Sequence, residues 1–244
     1  MTPGWKGVRR RFTLIFGLAL AGCSEGRRTT DDAFSRTGEI VAMSGGGGGA
    51  GNACFACHGL DGQGDGDTTP RLAGLDAGYL HKQLEDYAIG LRRDDSMGEI
   101  AKRLTPAARL RVATYYAGLP ARATPAAEAP PPRAFAACVE CHGSAGQGVG
   151  AAGPAIAGQP AAYTVAQLRR WTSAERRNDP RGVMRTAAAR LSGAETAAIA
   201  GWLAAQSAAP RPDIAAASGL AVASAWEAPA ASRASRHPDP RPDA

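Results

Sequence analysis

The chain has 244 residues, 44% of them hydrophobic but only 6% aromatic, and a formal charge of +6. Lys6, Arg9, Arg10 and Arg11 stand in an opening stretch without acids; residues 23–244 hold 24 basic and 22 acidic side chains, a balance of +2. That balance excludes an electrostatic case for a nucleic-acid partner. The weight of alanine in the apolar class predicts a thin core for each half by itself, which a buried prosthetic group would thicken.

Residues 1–22 combine a basic start with a short apolar run, Phe12 to Leu20, which is too short to span a bilayer. The run ends in Leu20-Ala21-Gly22-Cys23, which resembles the lipobox of bacterial lipoprotein signals. The reading is a signal peptide over 1–22 and a lipid on Cys23, so that the protein sits on a lipid membrane without crossing it. The expected location is periplasmic, anchored to a bacterial membrane; Ser24 after the cysteine leans towards the outer one by analogy with sorting signals. Residues 23–49 are Ser, Thr, Gly and charge, ending in Gly45 to Gly49, and are predicted to be a flexible tether.

Residues 50–120 form the first predicted domain. It opens with Cys54-Phe55-Ala56-Cys57-His58, then a Gly/Asp-rich loop to Thr69 and Pro70. Leu80, Leu84, Tyr87 and Leu91 predict one apolar face of a helix over 77–91. Met97 falls in a polar loop. Thr105-Pro106 signals a second helix start, running to about Leu119, with Leu110, Val112, Tyr115 and Tyr116 as predicted core.

Residues 121–134, rich in Ala and Pro, read as an extended linker. Residues 135–207 then repeat the first domain. An offset of 84 pairs Cys54, Cys57, His58, Pro70, Tyr79, Gln83, Tyr87 and Arg92 with Cys138, Cys141, His142, Pro154, Tyr163, Gln167, Trp171 and Arg176. After a three-residue insertion, an offset of 87 pairs Met97 with Met184, Leu104 with Leu191 and Tyr115 with Trp202. Ser192 and Glu195 form a capping box at the last helix. One insertion in about 70 residues marks a duplicated domain. Residues 208–244 show no periodicity and are predicted to be a disordered tail.

Cys-x-x-Cys-His is the attachment signature of covalent haem. Two thiols three positions apart lie on one helical turn, where both can add to the vinyl groups of one haem, and the next histidine sits beneath the iron. Two copies imply two covalently bound haem c groups, held by Cys54 and Cys57 and by Cys138 and Cys141, with His58 and His142 as iron ligands. A single zinc bound by four thiolates is the competing reading, but it leaves both histidines unexplained and must join pairs 84 residues apart. A redox-active thiol pair would want a βαβ context, and no strand pattern is visible.

The sixth iron ligands are read as Met97 and Met184, the methionines at matched places; Met43 lies in the predicted tether without a partner. His81, whose counterpart is Val165, reads as a solvated helix-face residue. Pro70 and Pro154 each stand twelve residues after a proximal histidine, and their carbonyls are expected to orient the imidazole rings.

With these residues in place, the chain resembles the dihaem class I cytochromes c, in particular the cytochrome c4 family, over about residues 50–207. The resemblance implies an all-α fold of two tandem cytochrome domains, each wrapped around one His/Met haem, and single-electron carriage on the periplasmic side. The implied partners are redox proteins: a quinol-oxidising complex, a terminal oxidase or a dehydrogenase. The expected role is electron carriage between membrane-associated respiratory complexes, without enzymatic activity of its own. One alternative is a dedicated cytochrome subunit of a dehydrogenase or oxidase. A dihaem peroxidase or gas sensor is another, but it needs an open iron position, against which the paired methionines speak. The chain departs from the family pattern in the insertion before Met184, in Ala174 where the first half has Gly90, and in the lipid anchor with its tether.

Overall fold

The computed structural model describes residues 1, 37–125, 128–179 and 181–208, and among them the regular structure is helical apart from two isolated β-bridges. The predicted leader, Cys23, the start of the tether and the tail from residue 209 lie outside the described residues. No helix among those described is long and apolar enough to cross a membrane.

The first copy comprises α1 (Gly38–Ser44), α2 (Phe55–His58), α3 (Ala77–Ala88), α4 (Asp95–Arg103) and α5 (Pro106–Gly118). The second comprises a 3-10 turn (Arg133–Ala137), α6 (Val139–His142), α7 (Ala161–Thr172), α8 (Val183–Ala189) and α9 (Gly193–Ala204). In each copy the short cysteine-bearing turn precedes three longer helices that pack on one another: α3 on α5 and α4, α7 on α9 and α8.

Residues 37–49 are not the open tether that their composition predicts. Thr37 caps α1 by accepting from the Ile40 N–H at 3.3 Å, and Gly45, at φ 76°, closes it. Val41 and Ala42 are wholly buried in one cluster with Leu104, Ala108 and Val112. Gly38 lies so close to α5 that a Cβ there would be 2.1 Å from the Arg111 carbonyl oxygen. A seven-residue helix shows no usable period, and its stability comes from this packing rather than from propensity.

Three further expectations change in detail. α3 ends at Ala88, and Leu91, beyond it, is 43% exposed instead of buried. The buried face of α5 is Ala108, Arg109, Val112, Ala113 and Tyr116, which turns Leu110 to solvent at 51% exposure. Met97 lies in the first turn of α4, not in a loop, because Asp94 caps that helix and accepts the Met97 N–H at 3.1 Å.

The second copy has the predicted capping box: Ser192 N–H donates to Glu195 at 2.8 Å, and Glu195 N–H to Ser192 Oγ at 3.2 Å. Its buried apolar cluster is small, Phe135, Ile199 and Leu203, with the Trp202 ring tilted by 51° against that of Phe135 at 4.7 Å between centroids. Both copies belong to one packed unit within residues 1–209, and Arg92 and Arg176 join them by an antiparallel backbone bridge.

Candidate cofactor sites

Each Cys-x-x-Cys-His segment folds into a single helical turn. The His58 N–H donates to the Cys54 carbonyl at 2.9 Å, and the His142 N–H to the Cys138 carbonyl at 2.9 Å. The first thiol of each pair is half-buried and the second exposed, and all four cysteines are free. Gly59 and Gly143, both at φ 79°, end the turns.

Both histidines are buried and both are oriented in the same way. The His58 Nδ1–H donates to the Pro70 carbonyl at 2.9 Å, and the His142 Nδ1–H to the Pro154 carbonyl at 2.7 Å. A carbonyl can only accept, so Nδ1 carries the proton and Nε2 keeps its lone pair for a metal. Burial holds both imidazoles below the ordinary histidine value, in the neutral form that a ligand requires. It also pushes the Cys54 thiol up to about 11.

Two glycines let the loop fold back far enough for these contacts. Gly64 and Gly148 donate to the carbonyls of His58 and His142 at 2.9 and 2.8 Å. Both have positive φ, 76° and 84°. A Cβ at Gly64 would lie 2.4 Å from the Thr69 carbonyl oxygen, and one at Gly148 2.5 Å from the Ala155 nitrogen.

Met97 and Met184 are half-buried and occupy the first turns of the matched helices α4 and α8. The insertion is absorbed locally. Asp94 caps α4 three residues before Met97, whereas Asp179, five residues before Met184, reaches the Met184 N–H. His81 lies on α3, 3.4 Å from the Glu85 carboxylate and half-exposed.

Among the described residues no group of three or more His, Cys, Asp or Glu side chains is placed to hold a metal ion, so the four cysteines do not converge as one zinc site would need. The same residues fit haem c. Each turn presents two thiols and an oriented imidazole. Tyr116 Oη, on the helix behind Cys54, is buried without a hydrogen-bond partner.

One group of polar residues went unrecognised in the sequence. Tyr79, Gln83, Arg92, Tyr163, Gln167 and Arg176 stood out there only as marks of the repeat. In the structure they meet between the two copies, with Arg92 bonded to Tyr163 at 2.8 Å and to Gln167 at 2.9 Å.

The family model described as cytochrome c matches residues 50–115 and 132–207. A protein of Thiomonas intermedia (strain K12), named thiosulfate dehydrogenase electron acceptor, is 40% identical, covering 65% of this chain and 80% of that protein. A cytochrome c4 of Thiocapsa roseopersicina is 39% identical, covering 63% and 87%. Among solved structures, a thiosulfate dehydrogenase of Marichromatium purpuratum in its as-isolated form superposes with a TM-score of 0.59 at 36% identity. It covers 72% of this chain, and the chain spans 40% of that longer one.

Proposed function

We propose that this chain, which belongs to the cytochrome c family as a dihaem class I cytochrome of the c4 type with covalently bound haem c, is the electron acceptor of a thiosulfate-oxidising dehydrogenase. The observation that carries this reading is the 40% identity, over most of its length, to a protein named for that role. The likeness to part of a thiosulfate dehydrogenase chain supports it.

A bound haem would supply one-electron redox chemistry at its iron, with no substrate bond made. Cys54 and Cys57 would hold one haem through thioethers, and Cys138 and Cys141 the other. His58 and His142 would ligate iron through Nε2, the rings being fixed in direction by the Pro70 and Pro154 carbonyls. Met97 and Met184 would supply the second iron ligand of each haem. A thioether ligand raises the reduction potential, which suits a group that must accept electrons from a dehydrogenase. Cys23 carries the lipid that keeps the protein at the periplasmic side of a membrane, where the tether raises its local concentration beside membrane-bound partners.

A second reading is favoured by the cytochrome c4 relative: a carrier between a quinol-oxidising complex and a terminal oxidase. One experiment separates the two. The oxidised holoprotein is mixed with thiosulfate and a catalytic amount of thiosulfate dehydrogenase, and the reduced α-band is followed. Reduction of both haems within the turnover time of the enzyme is expected. A protein that stays oxidised there, yet is reduced by a quinol-oxidising complex, would move the assignment to the second reading.

A further inference from the structure

The two copies pack the same face of their last helix against the loop that follows each cysteine-bearing turn, and one hydroxyl sets them apart. In the first copy the Gly74 N–H donates to the Tyr116 carbonyl at 3.1 Å; in the second the Gly158 N–H donates to the Leu203 carbonyl at 2.8 Å. A Cβ on Gly62, in the loop after the first turn, would lie 2.8 Å from the Tyr116 ring. Gly146, in the loop after the second, stands in the same relation to the Leu203 side chain, at 2.6 Å. The offset of 87 that pairs Met97 with Met184 also pairs Tyr116 with Leu203. Cys54 packs against the apolar cluster that holds Tyr116, and Cys138 against the one that holds Leu203. At one place in the fold, therefore, the first copy carries a phenol and the second an aliphatic side chain.

Tyr116 is 2% exposed, and its Oη has no hydrogen-bond partner among the described residues. A buried hydroxyl left unpaired is destabilising, whereas a phenylalanine would fill the same space without that cost. The hydrogen bond of this phenol is thus open to a group bound beside it, and the group that Cys54 binds is the haem. Burial, and then the nearby Cys54 thiol, push the phenol above its ordinary value, so Oη keeps its proton and can donate. Haem attachment adds the Cys54 S–H across a vinyl double bond. It leaves a thioether sulfur, which can accept a hydrogen bond but has no proton to give.

We propose that the Tyr116 hydroxyl donates a hydrogen bond to the first haem at its Cys54 thioether, and that this bond, which Leu203 cannot supply in the second copy, raises the first reduction potential alone. Reduction adds one negative charge to a haem. A donor hydrogen aimed at the edge of the macrocycle favours the form with the added charge, and more strongly in a dry setting of low dielectric. Hydrogen bonding around the cofactor is one of the levers by which a protein tunes haem. Tyr116 is no iron ligand, so its removal leaves the ligation intact and acts on the potential. The duplication supplies two like sites, and this hydroxyl is a chemical difference between them at a point of cofactor attachment.

The inference rests on covalent haem at Cys54 and Cys57. Its test is a spectroelectrochemical titration of the holoprotein and of Tyr116→Phe, which keeps the ring and removes only the hydroxyl, with haem content counted by mass. The first haem's midpoint is expected to fall, by ~3-fold in the reduction equilibrium constant, and the second to stay. Paramagnetic NMR, with each haem's methyl signals assigned through contacts to its own copy, tells which midpoint moves. Unchanged midpoints, equal shifts of both, or a fall confined to the second haem in a variant that carries two haems would overturn the proposal. A purely structural role would lower the unfolding midpoint and leave both potentials in place, which also overturns it. A parent chain that takes up no haem would instead sink the cofactor reading. A crystal structure of the unaltered holoprotein gives a readout that needs no variant. Tyr116 Oη within hydrogen-bond reach of the Cys54 sulfur is expected, and an Oη turned away from the haem would overturn the proposal.

Discussion

Ala174 adopts the left-handed backbone, φ 59°, at the place where the first copy has Gly90 at φ 78°. Both residues end the turn after a long helix and release the chain towards Arg92 and Arg176. The N–H of Arg92 bonds to Asp86 at 3.1 Å, and that of Arg176 to Arg170 at 2.9 Å. The turn is thus conserved in geometry between the copies while one of them bears the strain of a Cβ. Ala174→Gly is expected to stabilise the holoprotein by about 1 kcal/mol, and Gly90→Ala to destabilise it by a similar amount. Denaturant melts followed at the Soret band measure both; a loss of stability in Ala174→Gly would contradict the account of this turn.

Gly148→Ala is expected to damage one haem and spare the other. The new Cβ would press on Ala155, next to the Pro154 carbonyl that orients His142. Stability should fall by about 1 kcal/mol or more, and half of the haem should lose its low-spin spectrum. Two unchanged low-spin haems would show that the tight loop is not what holds His142 in place.

Gln159 bonds Arg71 of the other copy twice, accepting from its N–H at 3.0 Å and donating to its carbonyl at 2.9 Å. Gln159→Leu keeps the size but leaves both buried main-chain groups unpaired, at a cost of about 1–3 kcal/mol. Thermal unfolding is expected to shift down and to broaden as the two domains uncouple. An unshifted transition would mean that the pair contributes nothing to domain coupling.

Ser192→Ala removes an N-cap and is expected to cost about 1 kcal/mol. Hydrogen bonds from the Ser192 backbone N–H and then from its hydroxyl hold the Glu195 carboxylate below its ordinary value of 4.5. A depressed carboxylate stabilises the fold above its unfolded pKa, and that contribution disappears as pH falls through the folded one. The gap between parent and Ser192→Ala should therefore narrow on acidification below about 4.5, the ordinary glutamate value. Melts over an acid series would reveal a gap that stays constant if the capping box were not charge-assisted.

The parts of this fold that were legible in the sequence are those fixed by local chemistry. The Cys-x-x-Cys-His turns, the Thr105-Pro106 and Ser192–Glu195 helix starts and the duplication itself all announce themselves through neighbouring residues. Helix α1 did not, because seven residues with a glycine at the start show no period, and its reason for being helical lies on α5. Leu91 and Leu110 were drawn into the core by extending a pattern past the helix end in one case and off the buried face in the other. The polar group between the copies was invisible for a different reason. Arg92 and Arg176 look like solvated charges until the opposite copy covers each of them.

The most direct test of a dihaem, His/Met-ligated electron carrier is an optical spectrum of the holoprotein, oxidised and reduced, with and without carbon monoxide. Two covalent low-spin haems that show the sulfur-to-iron charge-transfer band and ignore carbon monoxide are the predicted result. A high-spin haem that binds carbon monoxide would remove Met97 or Met184 as a ligand and contradict the assignment of the protein as a pure electron acceptor.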